Sequence, residues 1–170
     1  EGNAALREAQ ILASLNHVHV VRYQDVFTHR DKGLLQICTV MEYCRSGDLA
    51  AWMAGQRDAG AAVPGERAYV WLGQLAEALA YLHGRRILHR DLKPQNVFLH
   101  AMSASDLVLK VGDFGLAATL ESGRRSSRVG TPCYLAPEVI YAEAYAESVD
   151  VWGLGCIMYE VLTLDFLWER

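Results

Sequence analysis

The spacing of apolar residues divides the chain into an opening helix, a strand pair and a longer series of helices. Apolar residues recur every three or four positions between Leu6 and Leu15, which predicts an amphipathic helix that ends near Asn16. The runs VVRYQDVF and LLQICTVMEYC are rich in β-branched and aromatic residues, and THRDKG between them is typical of a turn. We therefore predict an antiparallel hairpin after the first helix.

Helical spacing dominates the rest of the chain. A short helix is predicted to begin near SGDLAAWM, and short strands are predicted at NVFL and LVLKVG. A long loop should run from Phe114 to about Pro137, and the apolar segment from Ala146 to Leu164 should form a buried helix. Between the short helix and the strands, a long amphipathic helix is predicted from one apolar stripe: Ala68, Trp71, Leu72, Leu75, Leu79 and Leu82.

Length and charge exclude some classes of partner. The 170 residues are enough for one domain with a core. The net charge of -4 leaves no basic field for a phosphate backbone, so we expect no nucleic-acid partner; the one dense basic spot is Arg124, Arg125 and Arg128. The most apolar stretch, from Val149 to Trp168, contains three acidic residues, so we expect no membrane insertion.

The cysteines and the first residues bear on the compartment. Cys38, Cys44, Cys133 and Cys156 are scattered without a CxxC pair or a histidine at zinc-ligand spacing, so we interpret them as reduced thiols of a cytosolic protein. The opening EGNAALREAQ has neither a basic leader nor an apolar core, and we expect no secretory signal there.

A cluster of polar residues lies between apolar flanks in ILHRDLKPQNVFL, from Ile87 to Leu99. Its order, HRDLKxxN, is that of a protein-kinase catalytic loop, although a polar turn whose side chains cap nearby backbone would also explain the HRD tripeptide. KVGDFGLA and VGTPCYLAPE follow, with Asp113 in the first and Thr131 in the second. Three motifs in this order favour the kinase interpretation.

The chain therefore resembles the eukaryotic protein-kinase superfamily, in its serine/threonine branch, and is most similar to the NIMA-related kinases. The resemblance implies an α+β protein-kinase-like fold that is partial: helix C and strands β4 and β5 of the N-lobe, plus most of a mainly helical C-lobe. We predict one incomplete kinase domain over residues 1–170, with 1–43 as a remnant of the N-lobe and 44–170 as the C-lobe through its central helix.

The resemblance implies transfer of the ATP γ-phosphate to Ser or Thr hydroxyls of protein substrates, with Mg²⁺. Asp91 would orient the acceptor hydroxyl and take its proton, and Lys93 would reach the γ-phosphate. Asn96 and Asp113 would hold magnesium, for which oxygen ligands are suited. Thr131 would shape the seat of the substrate residue, or would be only a turn residue before a proline.

The resemblance also places the nucleotide. Glu42 and Cys44 would lie in the hinge that reads adenine, after Met41 at the gatekeeper position, and Asp48 would meet the ribose. Phe98 would pack beneath adenine, in a column with Leu49, Ile157 and Val161. The alternative for the hinge residues is a strand end that leads into a helix cap at Ser46 or Asp48. Four further positions match the regulatory column of active kinases, and each alone would read as core: Leu12, Tyr23, His89 and Phe114.

Regulation is implied at three residues. Glu8 aligns with the helix glutamate that pairs with the nucleotide-binding lysine. Arg90 would lie buried beside the loop that carries Ser127, and phosphorylation of Ser127 would order that loop and activate the kinase. Ala4 and Ala118 stand where many kinases supply further basic groups. A solvated loop without regulation is the alternative.

Residues 1–170 contain no GxGxxG, and their first lysine is Lys32. We therefore expect a kinase fragment without the Gly-rich loop and the β3 lysine, with little or no activity by itself. The alternative is a catalytically inactive relic or an interaction module. The subfamily resemblance implies a cytoplasmic location, with the cytoskeleton or microtubule-organising structures as a narrower expectation; substrate and oligomeric state stay open.

Overall fold

A computed structural model describes residues 12–32, 34–102, 106–115, 117–119 and 129–167. Its first strands, β1 (Tyr23–Asp31) and β2 (Leu34–Met41), form the predicted antiparallel hairpin. Tyr23 lies opposite Met41, the register shifts between Tyr23 and Asp25, and it then runs regularly from Asp25 opposite Val40 to Asp31 opposite Leu34. The turn is shorter than predicted, because β1 continues through most of THRDKG and the chain reverses between the two strands. Of the predicted opening helix, only residues 12–13 are helical within the described part, and the remainder lies outside it.

The two predicted helices of the middle of the chain are present. Helix α1 (Leu49–Asp58) begins after Asp48, whose Oδ1 accepts a hydrogen bond of 2.8 Å from the Ala51 N–H and so caps the helix. Helix α2 (Gly65–His83) buries the predicted stripe except for Leu72, which is 37% exposed. The assignment of Leu72 to the buried stripe was wrong. Ala78 completes the stripe at the 3.6-residue period, and Leu72 lies beside it.

Short strands build the region around the polar cluster. Strands β4 (Val97–Ala101) and β5 (Leu107–Val111) pair antiparallel, close to the predicted positions. Strand β3 (Ile87–Leu88) pairs with β6 (Ala118–Thr119) inside the segment that we predicted as a long loop. Two 3₁₀ turns, Pro94–Asn96 and Pro132–Tyr134, and helix α3 (Pro137–Ile140) were also missed, because elements of two to four residues leave no periodicity in a sequence.

The core lies between α2, the β4–β5 pair and helix α4 (Ser148–Thr163), which is the predicted apolar helix. Trp71 is 1% exposed and its indole meets that of Trp52 edge to face, with ring centroids 4.9 Å apart. Other core residues have no measurable exposure: Leu75, Leu82, Leu99, Leu109, Ile157 and Val161. Short antiparallel sheets with several helices confirm the α+β class.

The structure bears on two expectations about the chain, one about its cysteines and one about membrane-spanning helices. All four cysteines lie within the described residues and are free thiols. None of the helices in the described ranges combines the length and apolarity that a membrane span requires. The division at residues 43 and 44 stays a prediction.

Candidate active site

The polar cluster is a loop that joins β3 to β4, and a buried carboxylate of α4 holds it. Arg90 has φ +66°, a left-handed conformation that residues other than glycine rarely adopt. The Asp150 carboxylate, on a side chain 1% exposed, accepts the N–H groups of His89 at 3.0 Å and Arg90 at 2.8 Å. His83 Nε2 donates to the same carboxylate at 2.8 Å. These bonds stabilise the strained turn at the start of the loop.

A glycine lets α4 reach the loop. A Cβ added at Gly153 would lie 2.9 Å from the carbonyl oxygen of Leu92, the residue after Asp91. The absence of a side chain therefore allows the helix to touch the backbone of the loop directly. Asp150 and Gly153 are one turn apart on α4, so one face of the helix fixes the loop at two points.

Aromatic rings connect this loop to Phe114 of the DFG segment. The His89 ring is 5.1 Å from the Phe114 ring, and Phe114 is 5.9 Å from Tyr23, centroid to centroid. His89 Nδ1 accepts the Asp91 N–H at 3.3 Å and its Nε2 donates to the Gly112 carbonyl at 2.9 Å, which is the pattern of a neutral imidazole. Three of the four residues of the predicted regulatory column are thus in contact, and Leu12 packs at the edge of the same core.

The Asp91 carboxylate is the centre of a hydrogen-bonded group. Its Oδ1 accepts both the N–H of Thr131 at 2.7 Å and the Thr131 hydroxyl at 2.6 Å. Its Oδ2 receives Lys93 Nζ at 2.8 Å and Asn96 Nδ2 at 3.1 Å. Burial would raise the pKa of Asp91, but the hydrogen bonds from Lys93 and Thr131 hold it below its ordinary value. The carboxylate is therefore ionised at neutral pH.

Lys93 and Asn96 are themselves oriented by their neighbours. Lys93 Nζ donates to Thr131 Oγ1 at 2.6 Å, so the ammonium bridges Asp91 and the GTP segment. Asn96 Nδ2 also donates to the carbonyl oxygen of Asp91 at 2.8 Å. Because the amide nitrogen points at Asp91, the amide oxygen of Asn96 faces away from it.

Asp113 faces the same cavity as these residues. The cavity has a volume of about 600 Å³, and Asp113 is exposed in it with φ +56°. The same cavity is lined by Lys93, Asn96 and Thr131, and by four further residues: Gln95, Cys133, Tyr134 and Phe166. Asn96 and Asp113 offer the amide and carboxylate oxygens that a hard divalent cation prefers.

The predicted hinge residues surround a second cavity of about 320 Å³. Glu42, Cys44, Asp48 and Phe98 all line it, together with Met41 and others. Cys44 is buried, and burial followed by the nearby Glu42 carboxylate raises the pKa of its thiol. Asp48 also caps α1, so the alternative of a strand end leading into a helix cap describes the same residues.

The predicted regulatory residues are only partly described. Glu8 and Ser127 lie outside the described residues. Arg90 is half-buried, not fully buried as we expected, and its guanidinium donates to the Ala117 carbonyl at 3.4 Å. Glu138 of the APE segment accepts the Ser148 hydroxyl at 2.9 Å.

Sequence reasoning missed some residues that shape the site. No motif in the sequence assigned a role to Asp150, Gly153 or Lys110. Each acts through a contact with a residue far away in the chain, and no local spacing indicates such a contact. The only available signal was the polar Asp150 at the start of an apolar helix, where a buried charge requires donors.

The fold and the site are those of a protein kinase domain. A family model described as "Protein kinase domain" matches residues 1–170, and the chain belongs to this family.

Relatives refine this assignment. The chain is 43% identical over 166 residues to the serine/threonine-protein kinase Nek4 of Mus musculus. The matched region covers 96% of this chain and 20% of Nek4. It is 38% identical over 171 residues to Nek1 of Mus musculus, covering 99% of this chain and 13% of that protein. For Nek5 of Homo sapiens the identity is 37% over 171 residues, with 99% and 23% covered. The resemblance to NIMA-related serine/threonine kinases is thus confirmed, and the chain spans less than a quarter of these relatives.

Proposed function

We propose that this chain carries the phosphate-transfer centre of a serine/threonine protein kinase that moves the γ-phosphate of ATP to hydroxyls of protein substrates. One observation carries the proposal: an ionised Asp91, bound by Lys93 and Thr131, lies beside a cavity that Asn96 and Asp113 also face. Phosphoryl transfer needs an oriented hydroxyl and positive charge near the developing negative charge, and this group of residues supplies both.

Asp91 receives the proton in this proposal. A substrate hydroxyl that donates to the Asp91 carboxylate has its oxygen directed at the γ-phosphorus. The new O–P bond forms as the bond between the γ-phosphorus and the bridging oxygen breaks, the bridging oxygen leaves with its electron pair on ADP, and the hydroxyl proton passes to Asp91. The ammonium of Lys93, 2.8 Å from that carboxylate, is placed to offset charge on the transferred group.

Asn96 and Asp113 would hold the magnesium ion. A bound ion would supply positive charge that offsets the charge of the phosphates. The described residues include no group of three or more His, Cys, Asp or Glu that would enclose a metal ion by themselves. We therefore expect the ion to bind together with the nucleotide, whose phosphates complete its ligands.

The cavity bounded by Glu42, Cys44, Asp48 and Phe98 would take the nucleoside. Its volume of about 320 Å³ lies in the range of small-molecule sites. Backbone groups of the segment 42–44 would read adenine, Phe98 would form the floor, and Asp48 would meet the ribose. Protein substrates, a cytoplasmic location and the regulatory roles of Glu8 and Ser127 belong to the same proposal and rest on the family resemblance.

A specific observation favours a second candidate. Residues 1–170 contain no GxGxxG and no lysine before Lys32, so these residues by themselves would bind ATP weakly and transfer phosphate slowly or not at all. A non-catalytic interaction module would show the same behaviour. The two candidates differ in what happens when the missing parts are supplied.

The test measures transfer of labelled phosphate from ATP to a general protein substrate. It compares the 170 residues with the same residues preceded by the Gly-rich loop and lysine strand of a related kinase. We expect transfer only in the extended form, and a loss of about 10²- to 10⁴-fold on Asp91→Asn. The exposed Asp106→Asn serves as a matched control and should keep full activity. An inactive extended form that still folds would favour the interaction module.

A further inference from the structure

An ion pair outside the phosphate-transfer centre joins the two parts of the proposed nucleotide site. Lys110 Nζ lies 2.9 Å from Glu42 Oε1, and the side chains are only 12% and 21% exposed. Glu42 follows β2 at the hinge, whereas Lys110 lies on β5, which leads three residues later to Asp113. No motif accounts for Lys110.

Glu42 is also bound to the segment before β1. The Arg22 N–H donates to Glu42 Oε1 at 2.7 Å, and the Glu42 N–H donates to the Arg22 carbonyl at 2.9 Å. One carboxylate oxygen therefore receives both the ammonium of Lys110 and the backbone donor of Arg22. Two such donors fix the direction of the Glu42 side chain and, through it, the backbone of the hinge.

The segment before β1 is in turn hydrogen-bonded to β5. Val21 N–H donates to the Val111 carbonyl at 2.8 Å, and Val111 N–H donates to the His19 carbonyl at 2.9 Å. The contacts form a closed circuit that runs from β5 to residues 19–22, on to Glu42, and back to β5 through Lys110. Each part of the circuit limits the movement of the others.

Two residues of the circuit, Val21 and Glu42, line the nucleotide cavity. Phe98, opposite Lys110 in the β4–β5 register, lines that cavity together with Glu42 and Cys44. A displacement of Glu42 would shift the hinge relative to both Phe98 and the strand that delivers Asp113. A largely buried ion pair gains little net stability, because the cost of desolvating its two charges offsets their attraction, so its effect is expected in the position of the hinge.

We infer that the Glu42–Lys110 ion pair is a positioning device that holds the hinge segment 42–45 over Phe98 and in register with the strand that leads to Asp113. Lys110 and the Glu42 side chain act through the hinge backbone. The inference rests on the proposed function for its link to ATP, whereas the restraint on the hinge can be measured without any nucleotide.

The experiment uses four variants of the chain. Lys110→Met removes the charge and keeps an unbranched side chain, and Lys110→Arg restores the charge. Glu42→Gln keeps an acceptor for the Arg22 N–H but loses the ion pair. Lys32→Met is the matched control, because Lys32 is an exposed lysine in the β1–β2 turn.

The first readout is hydrogen exchange of the amides of Arg22 and Glu42, whose N–H groups donate within the circuit, with amides of α2 as an internal reference. We expect exchange at these two amides to accelerate about five- to tenfold in Lys110→Met and less in Glu42→Gln, with α2 unchanged. Lys110→Arg and Lys32→Met should match the wild type. Unchanged exchange at Arg22 and Glu42, or a uniform increase that includes α2, would overturn the inference.

The second readout is the affinity for Mg²⁺ and ATP, measured by titration of the chain and of its extended form. We expect the dissociation constant for ATP to rise about five- to tenfold in Lys110→Met and to recover in Lys110→Arg. In the extended form, Lys110→Met should raise KM for ATP while kcat stays near the wild-type value. Equal affinity in all variants would overturn the link to the nucleotide. Absence of ATP binding by the extended wild type would instead contradict the proposed function, and the exchange result would still decide the restraint on the hinge.

Discussion

Two buried carboxylates at opposite ends of α4 behave in opposite ways. Asp150, in the first turn, is 1% exposed and accepts three N–H groups. Glu160, near the last turn, is 6% exposed and accepts the hydroxyl of Tyr134 at 2.9 Å. Burial pushes the pKa of both groups upward. Hydrogen bonds from His83 and from the N–H groups of His89 and Arg90 help bring the pKa of Asp150 below its ordinary value. The pKa of Glu160 stays raised.

The contrast shows that hydrogen-bond donors, not burial alone, decide the direction in which the pKa of a buried acid shifts. The helix dipole acts in the same direction, because a negative charge is favoured at the N-terminus of a helix and disfavoured near its C-terminus. Asp150 can therefore hold the strained backbone of Arg90, whereas Glu160 accepts the hydroxyl of Tyr134, which lines the cavity that Asp113 also faces. Breaking each site in turn tests this difference.

The largest effect is expected for Asp150→Ala. The substitution leaves the donors of His83, His89 and Arg90 without their acceptor in the core, which should lower the free energy of unfolding by about 3 to 5 kcal/mol. Denaturant unfolding measures it. A midpoint equal to that of the wild type would show that Asp150 does not hold the loop.

Asp150→Asn is expected to cost less, about 2 kcal/mol, because the amide oxygen still accepts but the charge is lost. It should also change the response to acid. The folded pKa of Asp150 is below the unfolded one, so its contribution is present above about pH 4 and is lost as the pH falls through the folded value. Unfolding curves between pH 7 and acid should converge for wild type and variant; a constant difference would contradict this.

Tyr134→Phe should have a smaller effect of about 1 kcal/mol at neutral pH. The variant removes the one hydroxyl that donates to Glu160, and because that bond lowers the pKa of Glu160, the pKa should rise further. Carboxyl titration by NMR provides the measurement. A fall in the pKa of Glu160 would be inconsistent with the contact.

The smallest effect is expected for Glu160→Gln, within about 0.5 kcal/mol of the wild type at neutral pH. Because the folded pKa of Glu160 is raised, the wild type loses stability as the pH rises through that value, and the glutamine variant does not. The variant should therefore gain on the wild type as the pH rises from the unfolded pKa of glutamate, about 4.3, through the raised folded pKa. A loss of unfolding free energy as large as that of Asp150→Ala would contradict the proposed difference between the two acids.

Elements of five or more residues were predictable, and elements of two to four residues were not. Apolar spacing predicted α2, and runs rich in β-branched and aromatic residues predicted the hairpin. Leu72 was misassigned because an exposed leucine next to a stripe has the same chemistry as a buried one. The β3–β6 pair was missed because two residues of each strand pair across 30 positions of chain.

The sequence by itself determined the class of the protein and the content of its site, because the spacing of HRDLKxxN, the DFG segment and the APE segment is local and is preserved in any conformation. Only the tertiary structure decided how these residues are held. Asp91 meets Thr131 across 40 positions, Arg90 meets Asp150 across 60, and Lys110 meets Glu42 across 68. Contacts over such separations arise from packing of the core around α2 and α4, and periodicity along the chain does not encode them.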